Sequence, residues 1–344
     1  MVTKQDIIDN FDPSDVGIDN GNLFGFPFSY EMADIIVLGV PWEVTVSYRA
    51  GTAQGPATIL QASRQLDFYD RDLPTGWHQG IFMEPLDEAL QRHNQEWRSL
   101  STRIIQALEQ GSPMDSPELQ DWLAQVNQGC EIMNQWVYHH SRRALGQGKR
   151  VIVVGGDHSV PLGYIQALAE QQTEFGILHI DAHADLRDRY EGFEYSHASI
   201  MFNVLQIPQM TKLVQVGLRD VSQPEVDLME RSHPRVIPYF DTDLKQQGYE
   251  GIPWAEQCRT IVANLPPKVY ISFDIDGLDP KLCPSTGTPV PGGLELEQVF
   301  CLLREVVKSD RTIIGADLCE VGKGEWDGNV GARIVYKLCN LMGL

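Results

Sequence analysis

Phe175-Gly-Ile-Leu-His-Ile180-Asp181-Ala-His183-Ala-Asp185 is the stretch on which the reading of this chain turns. It begins as an apolar run of strand length, Phe175 to Ile180, and then places metal-capable side chains at every second position. In an extended segment alternate side chains point to the same side. Asp181, His183 and Asp185 therefore converge beyond the end of a buried strand, and that point is expected to hold metal.

Outward from this stretch the same pattern repeats. Asp34 to Gly39, Arg150 to Val154, Lys212 to Val216, Lys268 to Phe273 and Arg311 to Gly315 are further apolar runs of strand length. Helical or polar segments such as Pro161 to Gln171 and Leu296 to Ser309 separate them. This alternation implies an α/β fold with a parallel sheet covered on both faces, because each parallel step needs a crossover. Ligands in such sheets bind outside the carboxyl ends of the strands. Further motifs stand there: Gly155-Gly-Asp-His158-Ser159, Ser272-Phe-Asp274-Ile-Asp276-Gly-Leu-Asp-Pro280 and Ala316-Asp-Leu-Cys-Glu320.

Each motif alone has a plain reading as turn glycines, a structural histidine or a solvated Asp-x-Asp turn. Together they gather His158, Asp181, His183, Asp185, Asp274 and Asp276 at one edge of one sheet. Close carboxylates without a counter-ion would raise one another's pKa and destabilise the fold. A pair of divalent cations would offset that charge. Carboxylates dominate the set and no thiolate belongs to it, which favours a hard octahedral ion such as Mn²⁺ over structural zinc; Ni²⁺ and Co²⁺ are compatible with the same ligand types. Hydroxide held between two such ions is a nucleophile at neutral pH, so hydrolysis is the expected chemistry.

The 344 residues, 42% of them apolar, are enough for one large domain, and residues 1–344 are read as one. A net charge of −20 argues against nucleic acid and anionic membrane surfaces as partners. It suits a cationic ligand, and solubility alone would also account for it. Six cysteines without a C-x-x-C pair read as reduced, mostly buried thiols of a cytoplasmic protein. No run approaches transmembrane length and the first residues lack the apolar core of a signal peptide, so a soluble, unexported protein is expected. Residues 1–33 read as an irregular arm, and Pro56 opens a helix that runs to about Arg64. About 70–148 reads as an insert-like, mostly helical region, with Leu119, Trp122, Leu123, Val126, Cys130, Met133 and Val137 on one face as core packing. His78, His93, His139, His140, His179 and His233 are read as surface or packing residues.

The four motifs, in this order, resemble those of the ureohydrolase family of arginases and agmatinases, over roughly 34–66 and 150–335. The resemblance implies a three-layer αβα domain with an eight-stranded parallel sheet, and a homo-oligomer, often a trimer or hexamer. It also implies two Mn²⁺ per chain and cleavage of a guanidino group to urea and an amine. It makes the six residues His158, Asp181, His183, Asp185, Asp274 and Asp276 the metal ligands, with Asp181 and Asp274 bridging, and Asp157 and Ser272 as supports that orient them. His197 falls where the family places a proton-shuttling histidine, Glu320 where it places the carboxylate that pairs with the guanidinium, and Asp185 joins them as a catalytic residue.

Asp185-Leu-Arg-Asp-Arg-Tyr-Glu-Gly192, Ser196-His-Ala-Ser199, Val40-Pro-Trp42 with Ser47-Tyr-Arg-Ala-Gly51, and Gly287-Thr-Pro-Val-Pro-Gly-Gly293 resemble the agmatinase-like members more than the arginases, so a small cationic guanidino compound such as agmatine is the expected substrate. The chain departs from them at Val321-Gly-Lys323-Gly-Glu-Trp326-Asp327, where Lys323 near the pocket would repel a distal amine. Arginine, a guanidino acid, guanidine and formiminoglutamate therefore stay as alternatives. Two other readings are a single-zinc deacylase of the same fold and an inactive metal-binding subunit that regulates a partner.

Overall fold

Strand residues that alternate between two buried faces dictate the architecture. In the computed structural model, which describes residues 2–344, Ile35 and Val37 enter one apolar cluster while Ile36 and Leu38 enter another, and Ile152 and Val154 part from Val151 and Val153 in the same way. Both faces are dry, as in all-parallel sheets. Each fully buried aliphatic side chain contributes about 1.5–3 kcal/mol.

The strands are β1 (Ile35–Val40), β2 (Ile81–Met83), β3 (Arg150–Gly155), β4 (Phe175–Ile180), β5 (Met210–Leu218), β6 (Val236–Phe240), β7 (Lys268–Asp274) and β8 (Thr312–Cys319). They form one eight-stranded sheet in the order β2-β1-β3-β8-β7-β4-β5-β6, and every pair is parallel. The expected three-layer αβα arrangement is thus present. The edge strands β2 and β6 are the two that the apolar runs do not announce: β2 is three residues long, and β6 carries Pro238 in its middle. Proline cannot donate to a ladder and is confined to such edges.

Helices cover both faces. Residues 1–33, expected to be irregular, begin with α1 (Lys4–Asn10), which a Thr3–Asp6 capping box starts. Further on, Leu23, Phe24, Phe26 and Phe28 sink into the core against Phe68, Trp77 and Tyr336, so this segment is a part of the core and not an arm laid over it. Next comes α2 (Gly55–Ser63), with Pro56 in its first turn, on the same face as the C-terminal helix Glu325–Met342. The helical region resolves into α3 (Glu88–Glu109) and α4 (Pro117–Gly146), which lie on the opposite face together with α5 (Leu162–Ala169). Leu119, Val126, Cys130, Met133 and Val137 of α4 are buried there, as core packing requires.

The strand order positions the site. β3, β8, β7 and β4 are four consecutive neighbours in the middle of the sheet, with Val154 beside Leu318, Leu318 beside Phe273 and Phe273 beside Ile180. All four motifs therefore lie side by side at the carboxyl ends of adjacent strands. The motif at Ala316 lies within β8 instead of beyond it, so that only Glu320 clears the strand end.

Candidate metal centre and substrate pocket

His158 is carried over the sheet by Gly155-Gly156. A Cβ at Gly156 would overlap the Trp42 carbonyl, which accepts the Asp157 N–H at 2.8 Å. From there His158 Nδ1 faces carboxylate oxygens of Asp181 (3.1 Å), Asp185 (3.1 Å) and Asp274 (3.4 Å). Its Nε2 lies 2.9 Å from Ser272 Oγ and 3.7 Å from Asp317 Oδ1. The ring thus turns one nitrogen to the carboxylates and holds the other in a polar support, the arrangement in which metal-ligating histidines are found.

His183 repeats this a few ångströms away, its Nδ1 3.1 Å from Asp276 Oδ2 and 3.5 Å from Asp181 Oδ1. Asp181 belongs to both groups, Oδ2 toward His158 and Oδ1 toward His183. Asp274 turns Oδ2 toward His158 and accepts the Asp276 N–H on Oδ1 at 2.8 Å. Asp185 has φ +53° and Glu320 φ +61°. Left-handed backbone at a non-glycine residue costs on the order of 1–3 kcal/mol and tends to cluster at functional sites. Local bonds hold both: the Asp185 carbonyl accepts the Met201 and Phe202 N–H groups at 3.0 and 3.2 Å, and the Glu320 N–H donates to the Gly156 carbonyl at 2.7 Å.

The electrostatics of this cluster are those of a site short of positive charge. Burial, reinforced by the Asp181 charge, pushes Asp185 up to about 6. Burial and the Asp276 and Asp181 charges push Asp274 well above the usual carboxylate range. Burial would depress His158 and His183, yet the carboxylates around them hold both imidazoles well above their usual value. Asp181 alone is held well below its usual value: burial works against this, and His179 with the hydrogen bonds from His158, His179 and His183 overcomes it. Four carboxylates and two imidazoles in contact form a hard, oxygen-rich donor set, and the buried clusters fit a pair of divalent ions.

The cluster also contains residues that the sequence reading passed over. His179, read as surface or packing, is wholly buried and lies with Nε2 2.9 Å from Asp181 Oδ2. Gln215 Nε2 donates to the Ala184 carbonyl at 2.8 Å and lies 2.9 Å from His179 Nδ1, so Nδ1 accepts and Nε2 carries the proton given to Asp181. The signal was its position, two residues before Asp181 and in step with Asp181, His183 and Asp185. Asp317, buried beside Ser272 at 3.2 Å, is a second such residue. Of the two expected supports, Ser272 touches His158, whereas Asp157 accepts the Ser159 N–H at 3.0 Å and lies 3.4 Å from Thr45 Oγ1.

A cavity of about 270 Å³ opens over the cluster, lined by His158, His183, Asp185 and Asp274 below and by His197 and Glu320 at its sides. The His197 N–H donates to Thr45 Oγ1 at 3.1 Å, and its Nδ1 stands 3.4 Å from both Thr45 Oγ1 and Ser196 Oγ. Burial, with the neighbouring His183 charge, pulls this imidazole down to about 3, so it is neutral near pH 7. Glu320 is buried, and its Oε1 accepts the His158 N–H at 3.1 Å. Burial and the Asp157 and Asp276 charges raise its pKa well above normal, as for a carboxylate awaiting a cation. At the mouth, Arg187 stacks over Tyr190 at 4.7 Å and lies 3.8 Å from Glu225, whereas Asp220 is exposed and has no lysine or arginine partner among the described residues. Lys323, expected near the pocket, is an exposed side chain packed beside Gly51, outside the cavity wall.

A model of the arginase family matches residues 33–339. The chain belongs to the arginase family. Among its relatives in sequence is the N(1)-aminopropylagmatine ureohydrolase of Thermus thermophilus, 32% identical over 317 residues that cover 92% of each chain. An agmatinase of Neisseria meningitidis serogroup C is 27% identical over 336 residues, 94% of each chain. Among solved structures, the agmatine ureohydrolase of Thermoplasma volcanium superposes with a TM-score of 0.71 at 22% identity, covering 98% of this chain and 97% of that one, which establishes the fold as that of the family. Among the described residues no helix is long and apolar enough to cross a membrane.

Proposed function

We propose that this arginase-family chain hydrolyses a guanidino compound with a cationic tail, such as agmatine, to urea and an amine. The observation that carries the reading is Asp181, whose two oxygens face the two histidines His158 and His183 beneath a cavity that Glu320 and His197 flank. His158, Asp181, Asp185 and Asp274 would hold one ion, and Asp181, His183, Asp274 and Asp276 the other. The oxygen-rich set favours Mn²⁺ over zinc. When bound, such a pair supplies a water-derived nucleophile near neutral pH.

The chain's own residues then have defined work. The Glu320 carboxylate meets the planar guanidinium in fork geometry, and the arriving cation supplies the charge its burial lacks. Water adds its oxygen to the guanidino carbon, the bond from that carbon to the tail nitrogen breaks, and the departing amine needs a proton. His197, neutral near pH 7, is placed to take a proton from the attacking water on Nε2 and pass it to that amine, since its Nδ1 faces Thr45 and Ser196. Asp220 at the mouth suits a distal ammonium, and Glu225 already answers the charge of Arg187, which favours an amine tail over a carboxylate tail. The names of the Thermus and Neisseria relatives point the same way.

Reconstitution with Mn²⁺, followed by metal counting and a urea assay on agmatine, tests this reading. Two ions per chain with urea release support it, whereas one ion per chain without urea would favour a single-metal deacylase.

A further inference from the structure

The helical region before β3 has no place in the chemistry described so far, yet α3 reaches the loop that carries one pocket wall. Asn94 Oδ1 accepts the Glu43 N–H at 2.7 Å, Arg98 donates to the Val44 carbonyl at 3.2 Å and also to the Val46 carbonyl, and Ser101 Oγ donates to the Val44 carbonyl. Three side chains spaced along α3 thus take up the backbone polar groups on both sides of Thr45. Thr45 is wholly buried, and its Oγ1 receives the His197 N–H at 3.1 Å. The same loop carries Ser47, which lines the cavity.

We infer that α3 is a brace for the pocket and that Arg98 is a positioning residue, holding the Val44–Val46 backbone so that Thr45 fixes His197. The inference rests on the proposed role of His197. Arg98 is suited to the task because a guanidinium offers several donors in a fixed fork. One planar group can therefore tie two carbonyls that flank a single residue. Burial draws its pKa down while the charges of Glu43, Asp157 and Glu191 work the other way, so the cation sits among carboxylates that compensate it. The far side of the pocket is backed from the same helix pair. The Glu194 N–H donates to Asn127 Oδ1 of α4 at 3.1 Å, and Gly192, at φ +85°, lies against Leu123 of α4 and Met114 of the connector before it. The loop that bears Arg187 and Tyr190 is therefore anchored to α4, as the Thr45 loop is to α3.

The test compares Arg98→Met, which keeps the stem of the side chain and removes its donors, with Ile105→Val, a buried change on the same helix that removes no hydrogen bond to either loop. Both are made in the full-length, Mn²⁺-loaded protein. Amide hydrogen exchange is followed over 43–47 and 195–199, together with bound metal, kcat and KM for urea release. Arg98→Met is expected to speed exchange in both segments by about tenfold or more, keep the wild-type metal content and lower kcat by at least about tenfold with a smaller change in KM. Ile105→Val should do none of this. Unchanged exchange at 195–199, or an equal rise in Ile105→Val, overturns the inference. If Arg98→Met does not fold, Asn94→Ala replaces it, with the same direction of change expected and the same null result fatal. A wild-type chain that releases no urea would defeat the proposed function, while the exchange data still decide whether α3 holds the loop.

Discussion

His179 Nε2 donates to Asp181 Oδ2 across 2.9 Å from a ring with no exposed surface. Asp181 is the one carboxylate whose oxygens face both His158 and His183, so this bond fixes the group on which both proposed ion positions depend. Loss of such supports typically weakens metal binding by about 10–100-fold. His179→Asn should therefore lower Mn²⁺ affinity by that order while leaving the circular dichroism of the fold intact. Wild-type affinity by titration calorimetry would remove His179 from the account.

Metal binding should depend on pH with a definite sign. Asp185 is held up at about 6, and Asp274, His158 and His183 are also raised in the folded chain. A group whose folded pKa is raised contributes stability that is present below its unfolded value and lost as pH rises through its folded value. The metal-free protein should accordingly lose stability from about pH 4 upward through pH 6 and beyond, as Asp185 and then the imidazoles give up protons. The proposed ions would replace those protons. The difference in Tm between Mn²⁺-loaded and chelated protein should widen steadily from pH 5 to pH 8 in a thermal-shift series, and a constant difference would contradict this.

Much of the site could be read from the sequence because period-2 spacing and strand ends are local signals. Asp181, His183 and Asp185 alternate in sequence just beyond β4, and Asp274 and Asp276 do so where β7 passes into the turn Ile275–Gly277, although Asp185 is left-handed and neither run stays extended throughout. That His158 joins them required only that β3 lie in the same sheet. Which strands are neighbours is not a local property, so the contiguous order β3-β8-β7-β4 came only with the structure. The short β2 and proline-bearing β6 were silent because edge strands need fewer apolar residues and tolerate proline. The Phe24, Phe26 and Phe28 segment was obscured by the turn residues on either side of it. Thr45 left no signal, since a single threonine in a loop is informative only once His197 is seen beside it.

In the proposed site, Glu320 separates binding of the guanidinium from binding of metal. Truncating one partner of a buried, hydrogen-bonded charge pair costs about 2–5 kcal/mol. Glu320→Gln, nearly the same shape without the charge, should lower kcat/KM by a corresponding factor and leave the metal content at its wild-type value. A variant that loses metal instead would place Glu320 among the ligands.

Asp220 tests the choice of tail. It is exposed, with a side-chain accessibility of 70%. Exposed ion pairs of this kind are worth about 0.2–1 kcal/mol. Asp220→Asn should therefore raise KM for agmatine a few-fold and leave KM for an alkylguanidine without a distal charge unchanged. Equal effects on both compounds would mean that the carboxylate acts through His183, which lies 3.9 Å from it.

The most direct measurement is urea release by the Mn²⁺-loaded chain across agmatine, aminopropylagmatine, arginine, guanidine and a guanidino acid, ranked by kcat/KM. The account predicts stoichiometric urea and amine, with the amine-tailed compounds well ahead of the guanidino acid and activity lost on chelation. No urea from any of them at full metal loading would contradict it.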